Sequence, residues 1–269
     1  EGGYFLGTSG SFLRNLGNNL FDWSFFGADI VGDPGISTSL GRNGGSTRSY
    51  SFIDPSTSPA NDAGNNDLAV SGSGAALATD QRLAPFSRIV DGNRDGTHQI
   101  DIGAVEHHDL HVTSTADSVD GDYSQGEFTL REAVQLSELL PGTQTISFGT
   151  SGPVQLTNEI DISDSVIIAG NQTQIRSPAL GNAFAIQSDN NEPNEYQFYN
   201  LRISGGESNL SGIVVFGADQ GDRLTVRGST IEGFSLLGAA GIADLSLPQV
   251  VQVELRDTNL RGNFYGLLA

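Results

Sequence analysis

"QFYNLRISGG" (residues 197–206), "TVRGSTIEGF" (225–234) and "ELRDTNLRGN" (254–263) align without a gap, at offsets of 28 and 29 residues. Each begins as a short alternating strand, passes a small or amide-like residue (Asn200, Gly228, Asp257) and reaches an apolar residue three positions on (Ile203, Ile231, Leu260). A second set keeps nearly the same step: "AFAI" at 183–186, "GIVV" at 212–215, "GIAD" at 241–244 and "GLLA" at 266–269. Two strands recurring once per period of this size describe stacked turns, none of which is stable alone. The pattern predicts an all-β chain folded as a parallel β-helix, or solenoid. A β-sandwich with coincidental spacing is the competing reading.

Upstream, "TLREAVQLSELLPG" is the one convincing helix, near 129–140. Thr129 and Glu132 have the spacing of a capping box, Leu130, Val134 and Leu140 can share a face, and Pro141-Gly142 stops the run. A single amphipathic helix there is well placed to cover the exposed strand edges of the first coil.

Composition agrees with many short strands and tight turns. Of 269 residues 35 are Gly, only 17% are charged, and every basic residue is Arg. The net charge of −19 repels nucleic acid and anionic membranes and suits a partner that brings positive charge, a divalent cation above all. No apolar run approaches the roughly 20 residues of a membrane span. Without Cys, neither disulfides nor thiolate metal sites are available. Met is missing even at position 1, which reads as a piece of a longer product.

"VTSTADSVDGDYSQGEFTLREAVQLSE" followed by "ISFGTSGPVQLTNEIDISDSVIIAGN" resembles the CSLREA segment that opens right-handed parallel β-helix domains in large bacterial surface proteins, with Phe128-Thr129 in place of Cys-Ser. The stretches "DPGISTSLGRNGGSTRSYSFIDPSTSPANDAG" (33–64), "ATDQR" (78–82) and "DGNRDGTHQIDIGAVE" (91–106) resemble the choice-of-anchor Q segment that closes such domains. After "DQR" that family usually has Gly, and here Leu83 stands instead. The resemblance implies a right-handed coil and an extracellular or bacterial cell-surface location, and carries no catalytic residues. It also implies two β-helical parts: an ending over 1–108 and a beginning, with the capping helix, over 109–269.

The order is thus inverted, and the period tests why. Leu13-Arg14-Asn15 matches Leu255-Arg256-Asp257, and counting from Leu255 through residue 269 and on to residue 13 gives a step of 27 residues. The expectation that follows is a head-to-tail homopolymer, in which the last turn of one chain stacks on the first turn of the next and a fibre results. Its interface would be Tyr4, Phe5, Phe12, Leu13, Leu255, Leu260, Phe264 and Leu267. The same order also fits one excised period of a giant tandem-repeat protein, or residues 1–106 folding back on 110–269.

Asp91, Asn93 and Asp95 alternate ahead of Gly96, as oxygen ligands do in calcium loops. Ile102 occupies the usual twelfth position, so Asp101 is the expected substitute. Asp117, Asp120 and Asp122 form a second acidic cluster and a second candidate Ca2+ site, each weighed against a solvated polar turn. His107, His108 and His111 with Asp109 have zinc-type donors, though residues so close together in a linker more often sit in solvent. Asn171 and Asn209 match the glycosylation acceptor pattern, which is common by chance, and Asn171, like Asn200, is more economically read as a turn residue. Phe21, Trp23 and Phe25 alternate on one strand face, suited to sugar stacking and better suited to a core or seam.

A structural fibre subunit is the function expected, rather than an enzyme. The alternatives are a carbohydrate-binding segment of a giant adhesin and, less favoured, a polysaccharide lyase. Arg202, Arg227 and Arg256 recur on successive turns and suggest an Arg ladder, but Lys is absent and no tight Asp-Asp pair appears.

Overall fold

The computed structural model describes residues 20–21, 30–31, 33–124, 126–188, 192–246 and 251–268. The chain divides into two compact units, Glu1–Asp109 and Leu110–Ala269.

In the first unit, β1 (Leu20–Phe21) and β2 (Ile30–Val31) pair in parallel. Over residues 33–109 the pairing consists of isolated antiparallel bridges such as Ile36–Phe52, Thr79–Ser87 and Val90–Gln99, joined by turns. The apolar core there is small: Ala60, Ala69, Phe86, Val90 and Ile100. Charged groups are buried beside it. Arg82 lies 3.8 Å over the Phe86 ring, pairs with Asp80 at 2.6 Å and donates to the carbonyls of Asn43 and Glu106. Carboxylates then bind backbone N–H groups in series. Asp80 accepts from Glu106, Glu106 from Asp101, Asp101 from Asp62, and Asp62 from Asn93. Side-chain charge replaces the strand ladder as the source of long-range order.

The second unit is a β-solenoid of about four turns. Its elements are β3 (His111–Val112), α1 (Leu130–Leu139), β4 (Gln144–Phe148), β5 (Val154–Gln155), β6 (Ile160–Ile162), β7 (Val166–Arg176), β8 (Phe184–Gln187) and β9 (Glu195–Ser204). There follow β10 (Ser211–Gly217), β11 (Arg223–Arg227), β12 (Thr230–Glu232), β13 (Ala240–Asp244), β14 (Gln252–Arg256), β15 (Asn259–Arg261) and β16 (Tyr265–Leu268). One sheet runs β3-β4-β7-β9-β11-β14, with β5 on β7 and β12 between β9 and β15; the other runs β6-β8-β10-β13-β16. The pairings are parallel throughout.

The gapless alignment of the repeats is the ladder itself. Thr225 pairs with Gln197 and Glu254, Ile231 with Ile203 and Leu260, and Ile242 with Ile213 and Leu267. The small or amide residue between the strands is a corner. Asn200, Gly228 and Asp257 have φ of +52°, +60° and +50°, and Gln172 (φ +60°) makes the corresponding corner one coil earlier. A left-handed residue reverses which face the following side chains present. Tyr196 and Phe198 point inward before Asn200, Leu201 and Ile203 point inward after it, and all four are fully buried. Asn, Asp and Gly tolerate that conformation best. At Gly228 a Cβ would also run into the Asn200 side chain of the preceding coil.

Helix α1 caps the start. Thr129 and Glu132 form both halves of the capping box, and the helix packs on β3, β4 and β6. Leu136 rather than Leu140 completes the buried face, because Leu140 is already the extended C-cap. Glu132 also accepts from the Asp120 and Gly121 N–H groups, Glu138 from Ser163, and Arg131 donates to the carbonyls of Asn158 and Glu159. Groups at the beginning of the coil that would otherwise lack partners are thereby satisfied.

Candidate functional site

The two ends of the solenoid are treated differently. Among the described residues, strands β14, β15 and β16 each pair on one side, with β11, β12 and β13. Equivalent inward positions one coil apart show the effect: Val226 is 0% exposed and its rung partner Leu255 37%, and Ile242 is 0% exposed and its partner Leu267 44%. Leu260 is partly exposed, and Phe264 packs edge-on against Tyr265 with both rings nearly half exposed. Leu255, Leu260, Phe264 and Leu267, drawn from the sequence as interface residues, therefore lie together on this last coil. The other four, Tyr4, Phe5, Phe12 and Leu13, lie outside the described residues, as do Trp23 and Phe25. A parallel strand edge flanked by half-exposed apolar side chains is a template for another strand layer.

The acidic loop "DGNRDG" folds onto its own backbone. Asp91 accepts from the N–H groups of Asp95 and Gly96, Asn93 Oδ1 from Asp95, and Asp95 from Thr97. Asp101 does not join these three. It is buried, with its two oxygens taken by the N–H groups of Asp62 and His107, and burial pushes its carboxyl up to about 7. Burial, and then the charge of Asp101, pushes Glu106 up to about 8.

Asp62 was not singled out in the sequence, yet it sits beside the loop and is 8% exposed. Burial and the charges of Asp91 and Asp95 raise its carboxyl to about 6, while the N–H groups of Gly92 and Asn93 pull the other way. The Asn-Asp pair at 61–62 reads locally as an ordinary turn. Only tertiary contact with Gly92 makes it notable.

Asp117 does not cluster with Asp120 and Asp122. It pairs with Arg131 at 2.8 Å and accepts from the N–H and hydroxyl of Thr157, so it ties the helix to the coil. Asp120 and Asp122 accept from N–H groups two residues on. Among the described residues no group of three or more His, Asp or Glu side chains is arranged to hold a metal. His108 packs edge-on to Phe86 next to Arg82, Asp109 pairs with Arg94, and His111 contacts Ser147, so the zinc-type donors do not converge. Asn209 is buried, and its amide bridges the Gly206 N–H and the Pro178 carbonyl, which removes it as a glycosylation acceptor.

The Arg ladder is shorter than the sequence suggested. Arg227 and Arg256 are adjacent rungs, but Tyr199 continues the row, because Arg202 follows the Asn200 corner. Arg202 and Arg261 share Glu232 instead, at 2.5 and 2.7 Å. Among the described residues no helix is long and apolar enough to cross a membrane. No family model, curated protein or solved structure matches the chain.

Proposed function

We propose that this chain is a structural, extracellular or cell-surface subunit whose solenoid is completed by the residue 11–19 segment of a second copy, so that molecules add head to tail into a fibre. The observation that supports it is the last coil. Its inward side chains keep the spacing and apolar character of the coils before it, yet Leu255 and Leu267 stand about two-fifths exposed while their rung partners are fully buried. A coil of matching period would bury them, and "SFLRNLGNN" at 11–19 carries that period across the seam. Such a contact is heterologous and extends indefinitely unless its rotation closes a ring. Strand pairing supplies the bonds, and the apolar rungs set the register.

The test is light scattering and negative-stain electron microscopy of the purified chain across concentration, beside Leu255→Asp/Leu267→Asp. Concentration-dependent filaments that the double variant loses while keeping its β circular dichroism support the reading. A chain that stays monomeric at high concentration overturns it.

A further inference from the structure

Charge is distributed unevenly over the solenoid. Of the seven Arg residues in the second unit, six (Arg176, Arg202, Arg223, Arg227, Arg256 and Arg261) stand on strands of the sheet that contains β9 and β11. The strands of the other sheet, β6-β8-β10-β13-β16, carry none. On β9, β11 and β14 the core positions are Tyr196 and Phe198, Leu224 and Val226, and Val253 and Leu255, so the alternate side chains face outward. Tyr199, Arg227 and Arg256 make one outward row across three coils, with Gln197 and Thr225 in the row beside it.

In a chain of net charge −19, an exposed Arg has carboxylates in plenty, and several find one. Arg202 and Arg261 share Glu232, and Arg256 binds Glu254 while its side chain stays 61% exposed. Arg227, at the middle of the row, is different: it is exposed, and among the described residues no hydrogen bond or ion pair holds its guanidinium. Beside it the Tyr199 hydroxyl donates to Gln197 Oε1, and the Gln197 amide donates to Glu195 at 2.9 Å. That chain of bonds runs along β9 and orders the Tyr199 ring next to Arg227.

A guanidinium presents forked donors that match a carboxylate. An ordered phenol offers an apolar face with a polar edge, and Gln and Thr exchange hydrogen bonds with hydroxyl groups. Together these groups suit a sugar acid. Spacing points the same way, because the rungs are about 4.8 Å apart, close to the length of one sugar unit, so sugars in line along the solenoid axis keep step with the coils. Charges on one side of an extended acidic peptide recur about every 6.8 Å and fall out of step. A DNA duplex, with one charge per about 1.7 Å, would be repelled by the acidic remainder of the surface.

We propose that the outward face of β9, β11 and β14 binds an acidic polysaccharide of the polyuronate class, lying along the solenoid axis. Arg227 receives a carboxylate, Arg256 flanks it, and Tyr199, Gln197 and Thr225 meet the sugar rings and their hydroxyls. The face is lateral to the coil, so this binding is independent of whether chains add end to end.

The experiment is fluorescence anisotropy with the full chain and an end-labelled oligogalacturonate long enough to cover three coils, in chelator so that no metal bridges carboxylates. Its methyl ester, a glutamate peptide of equal length and a short DNA duplex are the comparisons. The acid should bind at least about tenfold more tightly than the ester. Arg227→Ala should cost about tenfold or more, whereas Arg223→Ala, of the same charge and on the same strand but two outward positions away, should cost less than about threefold. No binding at low salt, equal binding of acid and ester, or equal loss from both substitutions overturns the site. Tighter binding of the peptide or the duplex overturns the glycan assignment. Should Arg227→Ala lose its fold, Arg256→Ala decides by the same criterion.

Discussion

The two units bury their chains by opposite means. From residue 110 onward the interior is a column of apolar rungs, in which Tyr196, Phe198, Phe184 and Phe234 are fully buried and Phe184 meets Phe198 edge-on at 5.1 Å. Between 33 and 109 few apolar side chains are buried, and Asp80, Arg82, Asp101 and Glu106 take their place. The solenoid repeats one local rule, so each coil is positioned by the coil beside it. Residues 33–109 follow no such rule and depend on particular charged contacts between distant residues. It follows that damage to the solenoid should spread along rungs, whereas damage to the first unit should act through its network.

Removing one partner from the network offers the sharpest break. Arg82→Ala leaves Asp80 buried and uncompensated and should cost about 3–5 kcal/mol. Hydrogen exchange should accelerate over 33–109 and not over 110–268. Phe198→Ala is the mirror experiment, expected to cost about 3–5 kcal/mol through a core cavity, with faster exchange first in β7, β9 and β11. Exchange rising equally in both units after either substitution would abolish the distinction.

A smaller effect concerns acid. Burial raises the Asp117 carboxyl, but Arg131 and Thr157 outweigh it and hold the group below its ordinary value. A depressed carboxyl contributes stability that is present above the unfolded value near about 4 and is lost as pH falls through the folded one. The helix cap should therefore loosen in acid, read as faster exchange in α1. Asp117→Asn should lose about 2 kcal/mol at neutral pH and show less further acid sensitivity.

Leu83 provides a gain. It stands at φ +71° and is 62% exposed, in a conformation that glycine adopts without strain. Relief of about 1–2 kcal/mol of left-handed strain, less the extra freedom glycine gains when unfolded, leaves Leu83→Gly more stable by about 0.5–1 kcal/mol in thermal melts of the first unit. At the bottom of the scale, Leu255→Asp should change the stability of the isolated chain by no more than about 0.5 kcal/mol, because that side chain is already partly in water. The same substitution at the fully buried Val226 would unfold the coil, which makes the pair a direct measure of how open the last rung is.

The solenoid was legible because a repeat states its own register. Offsets of 28 and 29 residues translated directly into rung pairs, and Asn200, Gly228 and Asp257 marked corners by their tolerance of positive φ. The turn expected at Asn171 has its left-handed corner one residue later, at Gln172, which the sequence did not mark because Gln carries no such preference. The acidic motifs misled for a different reason. Spacing places Asp101 near the end of a calcium-type loop, but spacing carries no burial, and the folded chain commits that carboxylate to two backbone N–H groups. Asp117, grouped with its neighbours by sequence, was claimed by Arg131 fourteen residues away.

By itself, then, the sequence determined what is periodic: the coil, its rung length, its corners and the capping box at Thr129. These depend on local propensity and on neighbours at a constant step, which a linear pattern can display. Tertiary structure alone decided which carboxylates are buried and which pair with Arg. Those outcomes depend on contacts such as Asp62 with Asp101, 39 residues apart, and on the exclusion of water that only the folded chain provides.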